Sequence, residues 1–266
     1  MTKRVLVTGG GTRLGAAICQ SFAAAGWQVI CHYRSGKVAA LALCAQLRDA
    51  GYSASAVYAD LAQTSDCVAM MDNITREHGA LDCLVNNASL FVPDTGSDFD
   101  ATQAAAQLQV NLLAPLTLAK LMAQSITDPQ GGRGTGFDAC AIHILDQKVY
   151  NLNPDYFSYT VSKLALERAV SLQAQSLAPR LRVCGVAPGL MYHSGPQTAD
   201  NFALAARANL MRRPTDPLDV AKTCLFLATN PSITGSTLCV DNGQHLVPLP
   251  RDIMFVVEDL LKKHSI

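Results

Sequence analysis

Tyr159 and Lys163 stand four residues apart in Tyr159-Thr160-Val161-Ser162-Lys163, a spacing that puts both side chains on one face of a helix. An ammonium group beside a phenol stabilises phenolate. It is expected to draw the tyrosine pKa down from about 10 toward the working pH, so that the hydroxyl can both give and take a proton. Spacing alone does not carry this reading, because a surface helix pair has the same pattern. Four further features, in fixed order along the chain, strengthen it: a glycine-rich turn near the start, Asn86-Asn87-Ala88, Asn111 and Pro188-Gly189.

The turn reads Thr8-Gly9-Gly10-Gly11-Thr12-Arg13-Leu14-Gly15 and lies between a short apolar run and a segment of helical period. Glycines at such a turn permit tight winding, let the backbone approach a pyrophosphate and aim free N–H groups at its charge. Gly9, Thr12, Arg13, Leu14 and Gly15 are therefore expected to hold a dinucleotide. After the second apolar run the usual ribose-binding carboxylate is missing, and the chain reads His32-Tyr33-Arg34-Ser35. An arginine and a hydroxyl suit a 2′-phosphate that a carboxylate would repel, which favours NADPH as cofactor. Asp60 and Leu61, after the third run, stand where the adenine edge is expected.

These residues act together only if the fold brings them to one place. Short runs rich in Val, Ile and Ala alternate with longer stretches of helical period, the pattern of parallel strands joined by crossover helices. Strands are expected at 4–7, 28–31, 54–58, 83–85, 140–145, 182–186 and 237–240, and helices at 14–25, 38–50, 65–78, 101–125, 156–177 and 218–229. The fold class is α/β: a single Rossmann-type doubly wound parallel sheet of about seven strands with helices on both faces. Residues 1–248 read as one catalytic domain. Residues 249–266 read as an amphipathic tail expected to pack on that domain or on a neighbouring subunit. Residues 128–136, rich in Gly, read as an exposed loop, and 188–217 as a long connection suited to a lid, with Pro188-Gly189 as its hinge.

Composition narrows the function further. With 266 residues, 16% of them charged and a formal net charge of zero, the chain lacks the basic field that nucleic acid requires. Its apolar runs fall short of the roughly 20 residues that span a bilayer. Nine cysteines are scattered singly with no grouping at zinc spacing, so no metal site is expected and the cysteines read as small core residues in a reduced compartment. The N-terminal stretch shows no export signal, which points to the cytoplasm. His143 reads as a core or sheet-face histidine.

The combined motifs resemble the short-chain dehydrogenase/reductase family over nearly the whole chain, through Asp241-Asn242-Gly243. The resemblance implies that Tyr159 is the acid/base, that Lys163 binds the nicotinamide ribose and tunes the tyrosine, and that Asn111 supports a water-linked proton relay. It also implies cofactor contacts from Asn87, Ala88 and Ser89 and from Pro188, Gly189 and Leu190. Two departures are informative. The family usually has glycine where this chain has Arg13, and a serine where it has Asp146; the next residue, Gln147, carries no hydroxyl either.

Both departures resemble one branch, the pteridine reductases and related dihydromonapterin reductases. Arg13-Leu14-Gly15, His32 to Ser35, Asp146, and Asn87-Ala88-Ser89 followed by Phe91 match its pattern. The likeness implies an NADPH-dependent reductase of a dihydropterin-like C=N bond, with Tyr159 delivering the proton and Asp146 and Lys163 positioning it. Arg13 would meet cofactor phosphate or substrate. Ser89 and Phe91 would line the substrate site, with Phe91 sandwiching a flat ring against the nicotinamide. A carboxyl group accepts from a pterin's amino and ring N–H groups, whereas a serine hydroxyl suits a ketone oxygen. Two alternatives remain at this stage: a short-chain reductase of a carbonyl compound, and a non-catalytic NADPH-binding sensor. The family resemblance implies a homotetramer or homodimer.

Overall fold

The computed structural model describes residues 2–126, 138–193 and 197–263; the loop expected at 128–136 lies outside the described residues. Seven strands, β1 (Arg4–Val7), β2 (Gln28–Tyr33), β3 (Ala54–Tyr58), β4 (Cys83–Asn86), β5 (Cys140–Ile144), β6 (Arg182–Pro188) and β7 (Thr237–Val240), make one sheet. Every pairing is parallel, in the order β3-β2-β1-β4-β5-β6-β7. The helices among the described residues are α1 (Arg13–Ala24), α2 (Lys37–Asp49), α3 (Thr64–His78), α4 (Ala101–Leu108), α5 (Ala114–Ser125), α6 (Phe157–Leu177), α7 (Ala199–Ala205), α8 (Pro217–Thr229) and α9 (Ile253–Lys263).

Helices cover both faces of the sheet, so both faces of its central strands are apolar. Val5, Val7, Val29 and Cys31 face a layer formed with Ile18 and Phe22 of α1 and Val220 and Leu227 of α8. Leu6, Ile30 and Leu84 face the opposite layer, with Met70 of α3, Leu118 of α5 and Val170 of α6. All nine cysteines are free and eight are buried, as expected of small core residues.

The helix expected at 101–125 is broken by a wider turn of π geometry at Gln109–Leu113. Pro115 explains the break: it has no N–H to give to the carbonyl of Asn111, four residues earlier. The long connection after β6 also carries structure the sequence did not announce. Its short helix α7 packs through Ala205 on Ile253 and Val257 of α9, and Asn201 Nδ2 donates to the Met254 carbonyl at 2.8 Å. The chain before α9 is tied down by Arg251, whose guanidinium holds Asp155 at 2.8–3.0 Å, and by Asp252, paired with buried Lys148 at 2.9 Å.

Candidate active site

Chain order reverses between β1 and β4, and ligands in such sheets sit beyond the strand ends at that point. A cleft of about 560 Å³ opens there. Of the residues nominated by the sequence, Asn111 and Leu190 alone do not line it. The glycine turn is packed against the end of β4: a Cβ on Gly15 would collide with the Gly9 carbonyl and lie 2.9 Å from the Asn87 side chain. Thr8 Oγ1 accepts from the N–H groups of Asn87 and Ala88 at 2.9 and 3.0 Å, while Asn87 Nδ2 donates to the Thr8 and Gly9 carbonyls. With no acidic residue in its first turn, α1 presents an uncompensated positive end to the cleft, which suits a pyrophosphate.

His32 is buried, with Nδ1 3.1 Å from the Gly9 N–H and Nε2 3.1 Å from the Ala59 carbonyl. One nitrogen accepts and the other donates, so the ring is neutral, and burial lowers its pKa. This histidine braces the glycine turn against the end of β3. Arg34 remains half exposed, 3.9 Å from Asp60, with Ser35 beside it on the rim. The turn, the free helix end and the Arg34–Ser35 rim together fit a dinucleotide carrying a 2′-phosphate.

At the other end of the cleft, β5 and α6 bring the reactive groups together. The Tyr159 hydroxyl donates to Asp146 Oδ2 at 2.9 Å. Asp146 Oδ1 accepts the Lys148 N–H at 2.9 Å. Lys163 Nζ donates to the Ile144 carbonyl at 2.7 Å and lies 5.7 Å from the Tyr159 ring centre. Burial raises the Asp146 pKa, although the Lys148 N–H, Lys148, Tyr159 and Lys163 all oppose it. Burial also lowers Lys163 to about 8. For Tyr159 the direction is opposite to the one its lysine neighbour suggested. Burial, and then the adjacent Asp146 carboxylate, push the phenol well above its usual value. The hydroxyl is thus held protonated, as a proton donor requires.

The outer wall is aromatic. Phe91 stacks on Tyr156 with centroids 4.0 Å apart and meets Tyr159 edge-on at 4.6 Å. Tyr156 stacks in turn toward Phe255 of α9 at 6.2 Å. Tyr156 adopts a left-handed backbone, φ 56°, as does Arg13, φ 51°, at the very position where the family usually places glycine. Such conformations cost about 1–3 kcal/mol each for non-glycine residues and gather at functional sites. The Arg13 side chain crosses the cleft to donate to the His193 carbonyl and to lie over the Tyr192 ring, 4.9 Å from its centroid.

Three expectations acquire a different physical basis. Asn111 is fully buried: its Oδ1 accepts the Leu90 N–H at 2.7 Å, and its Nδ2 donates to the Leu90 carbonyl and to Ser162 Oγ. Its side chain is a strut for the Ser89–Phe91 loop. Gly189 is no hinge, because its N–H bonds the Val240 carbonyl and a Cβ there would lie 2.8 Å from Asp241; glycine is needed for this close approach. Leu190 turns toward α9, its N–H bonded to Gln244 Oε1 at 2.9 Å. His143 is fully buried between Asn86 and Gln173, each at 3.1 Å, and burial lowers it to about 4. Sequence reasoning missed Tyr156, Met191, Tyr192 and Met254, which have no local motif. The aromatic residue three before Tyr159, just ahead of α6, was the one available signal.

A doubly wound sheet with this cleft and a Tyr–Lys–Asp constellation defines a dinucleotide-dependent oxidoreductase. The family model described as enoyl-(acyl carrier protein) reductase matches residues 11–245, and the chain belongs to the short-chain dehydrogenase/reductase family. It is 30% identical to 3beta-hydroxysteroid dehydrogenase 1 of Eggerthella lenta, over 92% of this chain and 95% of that one. It is 27% identical to dihydromonapterin reductase of Citrobacter koseri, over 91% and 96%. Among solved structures, FolM alternative dihydrofolate reductase 1 of Brucella suis in complex with NADP superposes with a TM-score of 0.85 at 34% identity, covering 92% and 95%. No described helix is long and apolar enough to cross a membrane, and no described cluster of residues could hold a metal ion.

Proposed function

We propose that this chain is an NADPH-dependent reductase of a dihydropterin-like C=N bond. The observation that carries the reading is the 2.9 Å hydrogen bond from Tyr159 to Asp146 beneath the Phe91 ring. A carboxyl group there serves a ring bearing N–H donors better than it serves a ketone oxygen. Support also comes from the dihydromonapterin reductase and the NADP-bound FolM structure among the relatives. When bound, the cofactor supplies the hydride. The chain contributes everything else. Tyr159 delivers the proton to the ring nitrogen, Asp146 orients its hydroxyl and the substrate's polar hydrogens, and the Lys163 cation offsets the negative charge left on the phenol oxygen. Arg34 and Ser35 hold the 2′-phosphate and the α1 terminus holds the pyrophosphate. Arg13 and Phe91 border the substrate ring.

Reduction of a carbonyl compound is the second reading, favoured by the hydroxysteroid dehydrogenase relative. Steady-state NADPH oxidation over dihydropterins, dihydrofolate and simple ketones separates the two. Turnover of ketones with none of dihydropterins would retire the first. We further propose a homotetramer or homodimer, supported by exposed Phe157, Val161 and Leu172 on α6 and checked by light scattering of the eluted protein, and a cytoplasmic location, checked by fractionation of the expressing cells.

A further inference from the structure

Behind Phe91 lies a small compartment of about 170 Å³, closed on its far side by Asp252 and the first residues of α9. Asp146, Lys148 and Asp252 all line it. Lys148 is 4% exposed, a depth that lysines reach only when paired. Its Nζ pairs with Asp252 at 2.9 Å, donates to Asn153 Oδ1 at 2.9 Å and lies 5.6 Å from the centre of the Tyr156 ring. As a tether for the tail alone this is a costly choice. Burying two charges forfeits hydration that their attraction only partly returns, and an apolar pair of similar size holds as well or better.

What an apolar pair could not supply is a field at Asp146. Asp146 caps the single turn Gln147–Val149 and accepts the Lys148 N–H, and Lys148 returns to the same space through its side chain. The charged and titratable groups around the Asp146 carboxyl are Tyr159 and Lys163 on α6, Lys148 on its own turn, Asp252 across the compartment, and Arg13 at the border, bonded to the His193 carbonyl. Burial works against the carboxylate, and of the two lysines that oppose burial Lys148 has the larger effect. Asp252 acts with the opposite sign. Its reach extends to Tyr159, whose phenol it helps, after burial and Asp146, to keep protonated.

We propose that Lys148 is a positioning residue for proton delivery: it keeps Asp146 a charged acceptor for the Tyr159 hydroxyl, and Asp252, brought in by the tail, sets how strongly it does so. The proposal rests on the reductase reading above, in which Asp146 orients that hydroxyl. A protonated Asp146 offers the phenol only the weaker, neutral kind of hydrogen bond, so kcat/KM for a dihydropterin falls as pH drops through the Asp146 titration. Removing the Lys148 charge moves that titration to higher pH. Removing the Asp252 charge moves it to lower pH, because the Lys148 cation then stands uncompensated.

The test is the pH profile of kcat/KM for a dihydropterin, measured on the full chain with saturating NADPH. Lys148→Met and Asp252→Asn break the same ion pair. A tether alone predicts that they act alike, with a shared loss of Tm, a shared rise in KM and an acidic limb that does not move. The positioning role predicts opposite signs: the acidic limb should move up by about half a pH unit or more in Lys148→Met and down by a similar amount in Asp252→Asn. Lys148→Arg, which keeps the charge, should restore the wild-type position. The alkaline limb should stay in place in all three, since burial and Asp146 are what shift Lys163. NADPH fluorescence titration reports that the variants are folded, and should Lys148→Met not fold, the downward shift in Asp252→Asn and the wild-type limb of Lys148→Arg decide the matter. An acidic limb absent from wild type, unmoved in the folded variants, or moved in the same direction by both substitutions would overturn the proposal and leave the reductase reading intact. Ketone turnover with no reduction of any dihydropterin would overturn both.

Discussion

The walls of the cleft on either side of Tyr159 are built from different kinds of contact. On the cofactor side, β1, β2, β3 and β4 each end within a few residues of the glycine turn, Arg34, Asp60 or Asn87, and hydrogen bonds between neighbouring strand ends lock the turn in place. On the substrate side, the Ser89–Phe91 loop leans on Asn111, Tyr156 holds a left-handed backbone, and α9 arrives from about a hundred residues away to close the wall. The first wall is a direct consequence of the sheet. The second depends on loops and a tail pinned by side chains, the usual place for a family to vary its substrate while keeping its cofactor.

The largest effects are expected where the two walls meet. Tyr159→Phe should leave NADPH affinity nearly intact and cut turnover at least about 10²-fold, the lower range for a positioned general acid. Unchanged turnover would remove the tyrosine from the mechanism. The pH dependence follows from Lys163. Its folded pKa is lowered to about 8, so the ammonium is present below that pH and is lost as pH rises through it. With Lys163 as the required cation, kcat/KM should fall above about pH 8, and that limb should be absent from the residual activity of Lys163→Met. The stability sign is the reverse. The unfolded chain keeps the proton to a higher pH, so the penalty of burying this charge is largest below about 8 and eases as pH rises further.

On the substrate wall, Asp146→Ser removes a desolvated acceptor from Tyr159. Losing a hydrogen bond to a charged group costs about 1.5–3 kcal/mol, so dihydropterin kcat/KM should drop by roughly ten- to a hundredfold with NADPH affinity unchanged. The loss should exceed that of Phe91→Ala, and activity on ketones should hold or improve. On the cofactor wall, Arg34→Asp should have the complementary signature. Repulsion of the 2′-phosphate shifts preference toward NADH by about tenfold or more and leaves the KM for substrate unchanged. If wild type binds NADH as tightly as NADPH, the role of Arg34 is wrong; if either substitution moves both affinities, the two walls are not separable.

The same contrast explains what could be read from the sequence. The seven strands, the glycine turn, the Tyr159–Lys163 pair and Asp146 are visible because each is a local pattern whose meaning depends only on a nearby strand end or helix face. Asn111 was visible as a residue but not as a strut, because its work depends on a π turn forced by Pro115 and on a loop twenty-one residues away. Met254 left no usable signal and Tyr156 only its spacing from Tyr159: a left-handed tyrosine acquires meaning only from chain that folds over it. The raised pKa of Tyr159 escaped for a related reason, since the spacing displays the lysine but not the depth of burial or the carboxylate 2.9 Å away.

The smallest predicted effect probes whether the tail is part of the substrate wall or merely lies on it. Arg251 holds Asp155 through three contacts of 2.8–3.0 Å, and its guanidinium lies 4.9 Å from the Phe255 ring centre, at the outer end of the stack that runs through Tyr156 to Phe91. Because the Arg251 side chain is 47% exposed, the ion pair contributes only about 1 kcal/mol or less, and Arg251→Met should lower Tm by no more than about 2–4 °C in a domain of this size. The kinetic consequence is specific. A loosened tail widens the compartment behind Phe91, so KM for the dihydropterin should rise about threefold while NADPH affinity holds and kcat changes little, the pattern of lost uniform binding. Asp155→Asn should reproduce it, since it weakens the same contact from the other side, and the double substitution should add little, as expected for two partners in one interaction. Loss of Tm with no change in KM for any of the three variants would make the tail a structural cover alone, and the substrate wall would then end at Tyr156.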